Sequence, residues 1–325
     1  MKSKIVLIIL MLMTLAMFGC SSNETNYVEN NPDNSSGSSS SGLSGLVRIP
    51  VLFSVAETVP AVEAQYKQND GTGTSSLYLI NSIDGSATLI GDIGYRVRAI
   101  AYDFVTNKLY GITGGQRELP HLTNDTYIGG SQLIEICMIT GHGTPIGTGT
   151  GVENDCLTFN SYGTLFSLTG TPYNSTCTID LKTGIATCIP YSGAFGSYPG
   201  LAFDNNDVLY LVVNYHGARV YMIDPTTGDN TDKGAISGLP YGLAYHGDFN
   251  PLTGKYWGLD ALDNQTFARN LLVVDINNLT LNKTIPTVDN LEAITFGYMD
   301  VNTLTLLGLT DLIDYLNPEQ PINNF

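Results

Sequence analysis

The chain of 325 residues is long enough for one large domain, and 43% of its residues are hydrophobic. Its 30 acidic and 14 basic residues give a formal charge of −16, or −18 without the two lysines near the N-terminus. Such an acidic surface repels phosphate backbones, which excludes nucleic acid as a partner, and it disfavours flat binding to anionic lipid. The negative charge does not exclude cations, cationic peptides or uncharged glycans as ligands.

Residues 1–19 are predicted to be a signal peptide. Two lysines precede an apolar run that is shorter than the roughly 20 residues of a membrane-spanning helix. Gly19 followed by Cys20 resembles the bacterial lipobox, although Met17 and Phe18 depart from its pattern. The resemblance implies that Cys20 is diacylated and becomes the new N-terminus, which would anchor the protein stably to a membrane. Ordinary cleavage beside an incidental cysteine is the alternative.

Residues 20–46 are predicted to be a flexible tether behind the lipid. Their serine- and glycine-rich composition has too few apolar groups to offset the entropy of ordering. Residues 47–325 are then expected to form one folded domain.

A phrase recurs five times in that domain, in which an apolar strand runs into a polar turn and a second strand follows. The copies begin Ala99-Ile-Ala-Tyr-Asp, Cys156-Leu-Thr-Phe-Asn, Gly200-Leu-Ala-Phe-Asp, Gly242-Leu-Ala-Tyr-His and Ala293-Ile-Thr-Phe-Gly. Counted between their second residues, the spacings are 57, 44, 42 and 51 residues. Periods of roughly 40–50 residues built from short strands are typical of propeller blades.

Hairpins that turn at Asp, Asn, Pro or Gly lie between these phrases. If the strands of a blade are labelled a to d from the axis outwards, the phrase supplies a and b, and the hairpin supplies c and d. No segment after the signal peptide shows a sustained helical period, so the sequence predicts an all-β propeller.

The two chain ends are expected to share a blade. The last a–b pair, near Ile294 and Leu306, lacks an outer hairpin, and the first hairpin, near Leu79 and Leu89, lacks an inner pair. Joining them completes a fifth blade and removes the open sheet edges. The segment 51–55 resembles a b strand, and it could replace the C-terminal b strand, add an outer strand or begin a sixth blade. Five blades are preferred, with six as the alternative.

Residues 75–310 resemble the NHL and YVTN repeats of bacterial extracytoplasmic propellers, through the hairpins of the type Leu-Tyr-x-Ile-Asp-x-x-Thr-Gly and the phrases of the type Gly-Leu-Ala-Phe-Asp. This resemblance implies a fold and leaves the function open, because propellers serve many functions.

Four cysteines besides Cys20 predict disulfides, since an even number in an exported chain favours pairing. Around the turn at residues 182–183, Cys177 lies opposite Cys188, which predicts a cross-strand disulfide. Cys137 and Cys156 are then expected to pair by elimination. The spacing of the thiols does not fit a zinc site, and neither a metal nor a cofactor is expected.

We call the second residue of each phrase its anchor. The d–a turns are expected to place one residue of each blade two positions before this anchor, at one mouth of the channel. These residues are Arg98, Asp155, Pro199, Tyr241 and Glu292. One interpretation is that each simply caps its own strand. The other is a ligand site formed by Arg98, Asp155, Tyr241 and Glu292, because charges of both signs and an aromatic ring would surround one opening.

The common catalytic signatures are absent from the sequence, including the G-x-S-x-G elbow, the H-E-x-x-H motif and the phosphate-binding loop. The preferred hypothesis is a binding or protein-interaction module on a bacterial outer membrane, facing the periplasm or the cell exterior. Its expected partners are the membrane, through the lipid, and a glycan, peptide or envelope protein. The alternatives are a hydrolase or lyase with acid–base carboxylates at the channel mouth, and a purely structural scaffold.

Overall fold

Five antiparallel sheets of four strands each make up the computed structural model, which describes residues 48–57, 73–114, 130–169, 175–191, 197–214, 218–239, 246–260 and 269–309. The innermost strands contact one another in a closed ring, so the sheets are the blades of a five-bladed β-propeller. The predicted fold class is confirmed. Residues 1–19 and 20–46, with the predicted signal peptide, lipid site and tether, lie outside the described residues.

The strands are numbered in chain order, and within each blade they run from strand a at the axis to strand d at the outer edge. The first blade contains β20 (Leu291–Asp300), β1 (Arg48–Glu57), β2 (Ser75–Ile80) and β3 (Ala87–Asp92). The second contains β4 (Val97–Asp103), β5 (Lys108–Thr113), β6 (Leu133–Ile136) and β7 (Gly143–Ile146). The third contains β8 (Asn154–Phe159), β9 (Leu165–Thr169), β10 (Ser175–Ile179) and β11 (Ala186–Pro190).

The fourth blade contains β12 (Ser197–Phe203), β13 (Leu209–Asn214), β14 (Ala218–Ile223) and β15 (Asn230–Ala235). The fifth contains β16 (Asp248–Phe249), β17 (Tyr256–Leu259), β18 (Arg269–Asp275) and β19 (Thr280–Thr287). A short helix, α1 (Val301–Leu306), follows β20. No helix within the described residues combines the length and the hydrophobicity that a membrane span needs.

The polar residue that ends each a strand explains why the chain turns there. In four blades its side-chain oxygen accepts a hydrogen bond from the backbone N–H two residues later, at 2.9 to 3.1 Å. These residues are Asp103, Asn160, Asp204 and Asn250. Asp and Asn favour this local bond over continuing the strand, so the recurring phrase folds into an a–b hairpin.

The N-terminal strand completes the blade that both chain ends share. In β1, Leu52 lies opposite Phe296 of β20 on one side and opposite Ile80 of β2 on the other. Of the three places considered for this segment, the fold therefore selects the b position. The predicted b strand near Leu306 is wrong, because the chain after Asp300 forms α1. The Asp300 carboxylate caps that helix by accepting from the Thr303 N–H at 2.8 Å.

The predicted position of the fourth copy of the phrase is wrong. Phe249 of β16 pairs with Tyr256, just as Phe203 of β12 pairs with Leu209 in the fourth blade. Phe249 is therefore the equivalent of Phe203. His246 lies three residues before Phe249, so it is the equivalent of Gly200, the first residue of the phrase in the fourth blade. The expected anchor Leu243 is outside the described residues. The turn after Asn250 determines this register, since turn geometry fixes which residues of a hairpin face each other.

One of the two predicted disulfides forms. Cys177 and Cys188 are directly opposite in β10 and β11 and are bonded, as predicted. The predicted pair of Cys137 with Cys156 is wrong, because Cys156 has a free thiol that is fully buried. Cys156 lies near the beginning of an innermost strand, where it packs against apolar residues such as Leu201. Cys137 follows β6, in the c–d turn at the other end of the neighbouring blade.

Candidate functional site

Three innermost strands carry a β-bulge at the same place, one residue before the recurring phrase begins. In β4 the pairing skips Arg98, in β8 it skips Asp155, and in β20 it skips Glu292. A bulge takes one residue out of the alternation and redirects its side chain, which is why bulges are common beside functional sites. The structure thus places these three predicted residues at equivalent positions, at one end of the channel.

The other two blades differ at this position. In β12 the irregularity between Ser197 and Gly200 spans two residues, one of which is Pro199. Tyr241, the remaining predicted site residue, lies outside the described residues. The register of the fifth blade differs from the predicted one. The residue two positions before its anchor is therefore Tyr245 instead of Tyr241, and Tyr245 also lies outside the described residues.

Two ion pairs lie at this end of the channel. A guanidinium nitrogen of Arg98 is 3.8 Å from the Asp155 carboxylate, across the junction of the second and third blades. The Nε of Arg96 donates to the Glu57 carboxylate at 2.6 Å, between the second and first blades. The Arg98 side chain is 43% exposed and that of Asp155 is 29% exposed, so this pair is accessible to a ligand. We call Glu57, Arg96, Arg98, Asp155 and Glu292 the charged end.

Glu292 differs from the other acidic residues of the charged end. Its carboxylate has neither a hydrogen bond nor an ion pair with any of the described residues. Burial and the neighbouring Glu57 carboxylate raise the pKa of Glu292, while Arg269, Arg96 and Arg98 oppose that rise. Glu292 is therefore a partly buried carboxylate within electrostatic range of three guanidinium groups, and it forms a close pair with none of them.

Residues of the fifth blade support this end of the channel. Arg269 is 1% exposed, and its Nη1 donates to the backbone carbonyl of Asp260 at 2.5 Å. The Asp260 carboxylate accepts from the Asn270 N–H at 2.8 Å, which holds the ends of β17 and β18 together. Rigid strand ends of this kind keep the charged side chains in place without a ligand.

Sequence reasoning missed His246, a buried histidine near Arg98. Burial and the Arg98 charge lower the pKa of His246 to about 3, so the ring is neutral at physiological pH. Its Nδ1 has no hydrogen-bond partner among the described residues. The corresponding residue is Ala99 in the second blade and Ala293 in the first, and only the correct register of the fifth blade shows this equivalence. Glu57 and Arg96 were missed because they lie outside the repeated phrase.

No group of three or more histidine, cysteine, aspartate or glutamate side chains within the described ranges is arranged to hold a metal ion. What the charged end offers a ligand is a set of fixed charges of both signs. Such a set recognises polar groups by charge-assisted hydrogen bonds.

Comparisons with known proteins found similar solved structures only. No protein-family model matches the chain, and no curated protein matches it. A gluconolactonase from Xanthomonas campestris is 12% identical, with a TM-score of 0.43 over 74% of this chain and 87% of that one. A protein of unknown function from Bacteroides caccae is 12% identical, with a TM-score of 0.43 over 77% of this chain and 99% of that one.

The hydrazine synthase of Kuenenia stuttgartiensis is also similar, at 12% identity and a TM-score of 0.38 over 65% of this chain. This chain spans only 51% of that protein. At such values the similarities carry no argument about activity. The structure is that of a five-bladed β-propeller with a group of charged side chains at one end of its channel.

Proposed function

We propose that this protein is a binding module that holds a small polar ligand at the charged end of its channel. The observation that carries the proposal is Glu292, a partly buried carboxylate without a close partner among the described residues and within range of three arginines. Partly burying a charge without a partner costs free energy, which makes such a residue a candidate for contact with a ligand.

The charges suggest the chemistry of the ligand. Asp155 and Glu292 can accept hydrogen bonds from an amine or from hydroxyl groups. Arg98 can donate two parallel hydrogen bonds to a carboxylate. A small ligand that carries both an acidic group and an amine or hydroxyl group would match this arrangement, as amino acids, peptide ends and sugar acids do.

Replacing Glu292 by Gln tests the binding site. Amino acids, hydroxy acids and sugar acids are first screened for ligands that raise the melting temperature of the wild-type protein. For such a ligand, we expect Glu292→Gln to weaken binding at least tenfold by calorimetry, a loss of about 1.4 kcal/mol or more. The free variant should melt at the same temperature as the wild type or higher, because a desolvated charge has been removed.

Glu153→Gln is the matched control for this substitution. Glu153 is an exposed glutamate two residues before Asp155, on the same face of the propeller. It should bind the ligand as the wild type does. Unchanged binding by Glu292→Gln, or equal losses in both variants, would refute the site.

A hydrolase or lyase is the second candidate function, and the raised pKa of Glu292 is the observation that favours it. A carboxylic acid that keeps its proton closer to neutral pH is suited to general acid–base catalysis. Incubation with the identified ligand separates the two functions. Recovery of the unchanged ligand supports a binding module. Product that forms with the wild type, but not with a Glu292→Gln variant that still binds, supports an enzyme.

We further propose that the module is held on the bacterial outer membrane by a lipid on Cys20, on the periplasmic or the outer side, where a glycan, peptide or envelope protein is its partner. Support comes from the charged and apolar pattern of residues 1–19 and from the serine-rich segment that follows. The variant Cys20→Ser should lose the wild-type partitioning into the detergent phase. Unchanged partitioning would contradict the anchor.

A further inference from the structure

We propose a second binding site, for small organic cations, in the cavity at the opposite end of the channel. This cavity has a volume of about 360 Å³ and is lined by the a–b ends of the five innermost strands. Its volume lies at the lower end of the range, about 300–1,000 Å³, that small-molecule sites occupy. The proposal does not depend on the charged end, because the two sites lie at opposite ends of the same strands.

The cavity is arranged in layers along the channel. Aliphatic residues such as Ile100, Leu157 and Ile294 line it at the positions farthest from the a–b turns. Aromatic residues two positions nearer the a–b turns also line the cavity, at equivalent positions of four blades: Tyr102, Phe159, Phe203 and Phe249. Between these two layers lies Asp248 of the fifth blade. A carboxylate thus lies between the aliphatic and the aromatic lining residues along the strands.

The fold does not require a carboxylate at this position. In the third blade the equivalent residue is Thr158, whose hydroxyl oxygen accepts from the Phe203 N–H of the next blade at 3.3 Å. Asp248 makes the same link to the next blade, accepting from the Phe296 N–H at 2.9 Å. A hydroxyl group is therefore sufficient for the structural bond, and the charge of Asp248 is left for another role.

Asp248 also keeps acceptor capacity for a ligand. One carboxylate oxygen accepts from the Thr295 hydroxyl at 2.8 Å as well as from Phe296, and the other accepts from its own neighbour Phe249 at 2.8 Å. Each carboxylate oxygen has about two lone-pair sites, so the second oxygen can accept one more hydrogen bond. Burial raises the pKa of Asp248 to about 6, which leaves it largely ionised at neutral pH.

The charges around the cavity favour a cation over other ligands. Asp204 and Asp207 line its rim, and none of the lining residues within the described ranges is a lysine, arginine or histidine. Aromatic rings attract cations through their π-electron faces, and a desolvated carboxylate binds an ammonium group by a charge-assisted hydrogen bond. A ligand with an ammonium group at Asp248 and an apolar body along the aromatic residues would make both of these interactions.

Calorimetric titration with phenethylammonium and with its uncharged counterpart 2-phenylethanol tests this inference. We expect the ammonium compound to bind at least about tenfold more tightly than the alcohol, since only the charged group gains from Asp248 and the rings. Equal affinities for the two probes, or no detectable binding of the ammonium probe, would overturn the proposal.

The variant Asp248→Asn should bind the ammonium probe no better than it binds the alcohol. Its amide oxygen can still accept from Phe296, so the link between the blades is kept. Phe104→Ala provides an independent variant at the rim, where this side chain is 38% exposed, and it should weaken binding severalfold without unfolding the protein. Unchanged binding in a folded Asp248→Asn, or in Phe104→Ala if the former does not fold, would overturn the site.

Asp155→Asn is the control at the charged end. It should leave binding of the ammonium probe unchanged, whereas it should weaken binding of a ligand of the charged end. Loss of the ammonium probe in Asp155→Asn would place that probe at the wrong end of the channel. The two proposals can therefore fail separately.

Discussion

Removal of Arg48–Glu57 is expected to prevent this protein from folding. This segment, β1, is hydrogen-bonded on both sides within the first blade, to β20 and to β2. Its core side chains are almost fully buried, with Phe53 and Val55 at 0% exposure and Leu52 at 2%. Losing one large core side chain costs about 2–5 kcal/mol, so losing the strand exceeds the total stability of about 5–15 kcal/mol that proteins have.

Circular dichroism and gel filtration check this expectation on a chain that begins at residue 73, compared with one that begins at residue 46. The shorter chain should aggregate or stay unfolded. A chain that ends at Asp300 is the informative control, because it keeps all twenty described strands and loses α1, whose buried residue is Leu304. It should fold with reduced stability. A folded monomer that begins at residue 73 would show that the ring does not need β1.

Gly85→Ala is expected to destabilise the closure between the first and fifth blades by about 2–5 kcal/mol, through backbone strain and a steric clash together. Gly85 lies in the turn between β2 and β3 and has a φ of +75°. A Cβ atom added there would lie 1.9 Å from the carbonyl oxygen of Pro286 in β19. Because that neighbour is backbone, the clash can be relieved only by moving one blade away from the other.

Gly94→Ala separates the two contributions. Gly94 has nearly the same φ, +79°, and a Cβ added there meets nothing within 4 Å. Gly94→Ala should therefore lower the free energy of unfolding only by the backbone strain, about 1–2 kcal/mol. Urea unfolding of both variants measures the difference, which is the cost of the steric clash between the added methyl group and β19. Equal losses in the two variants would mean that the methyl group is accommodated without a clash, which would contradict the close approach of the two blades at Gly85.

Features that depend on residues close together in the chain were predictable from the sequence. The recurring phrase and its spacing indicated the blades, because each a–b hairpin is formed by local turn chemistry at residues such as Asp103. The Cys177–Cys188 disulfide was predictable for the same reason, since one turn sets the register of its hairpin. The equivalence of Arg98, Asp155 and Glu292 also followed, because each precedes the same phrase by the same number of residues.

Tertiary structure decided the features that depend on distant contacts. The b position of the first blade was open to two segments with similar patterns, and pairing with both β20 and β2 selected Arg48–Glu57. Cys156 stayed unpaired because a buried position beside the next blade holds it away from Cys137. Desolvation and neighbours from several blades set the charge environments of Glu292 and Asp248. Local sequence does not encode these environments, since burial and the distance between charges arise only when the blades pack together.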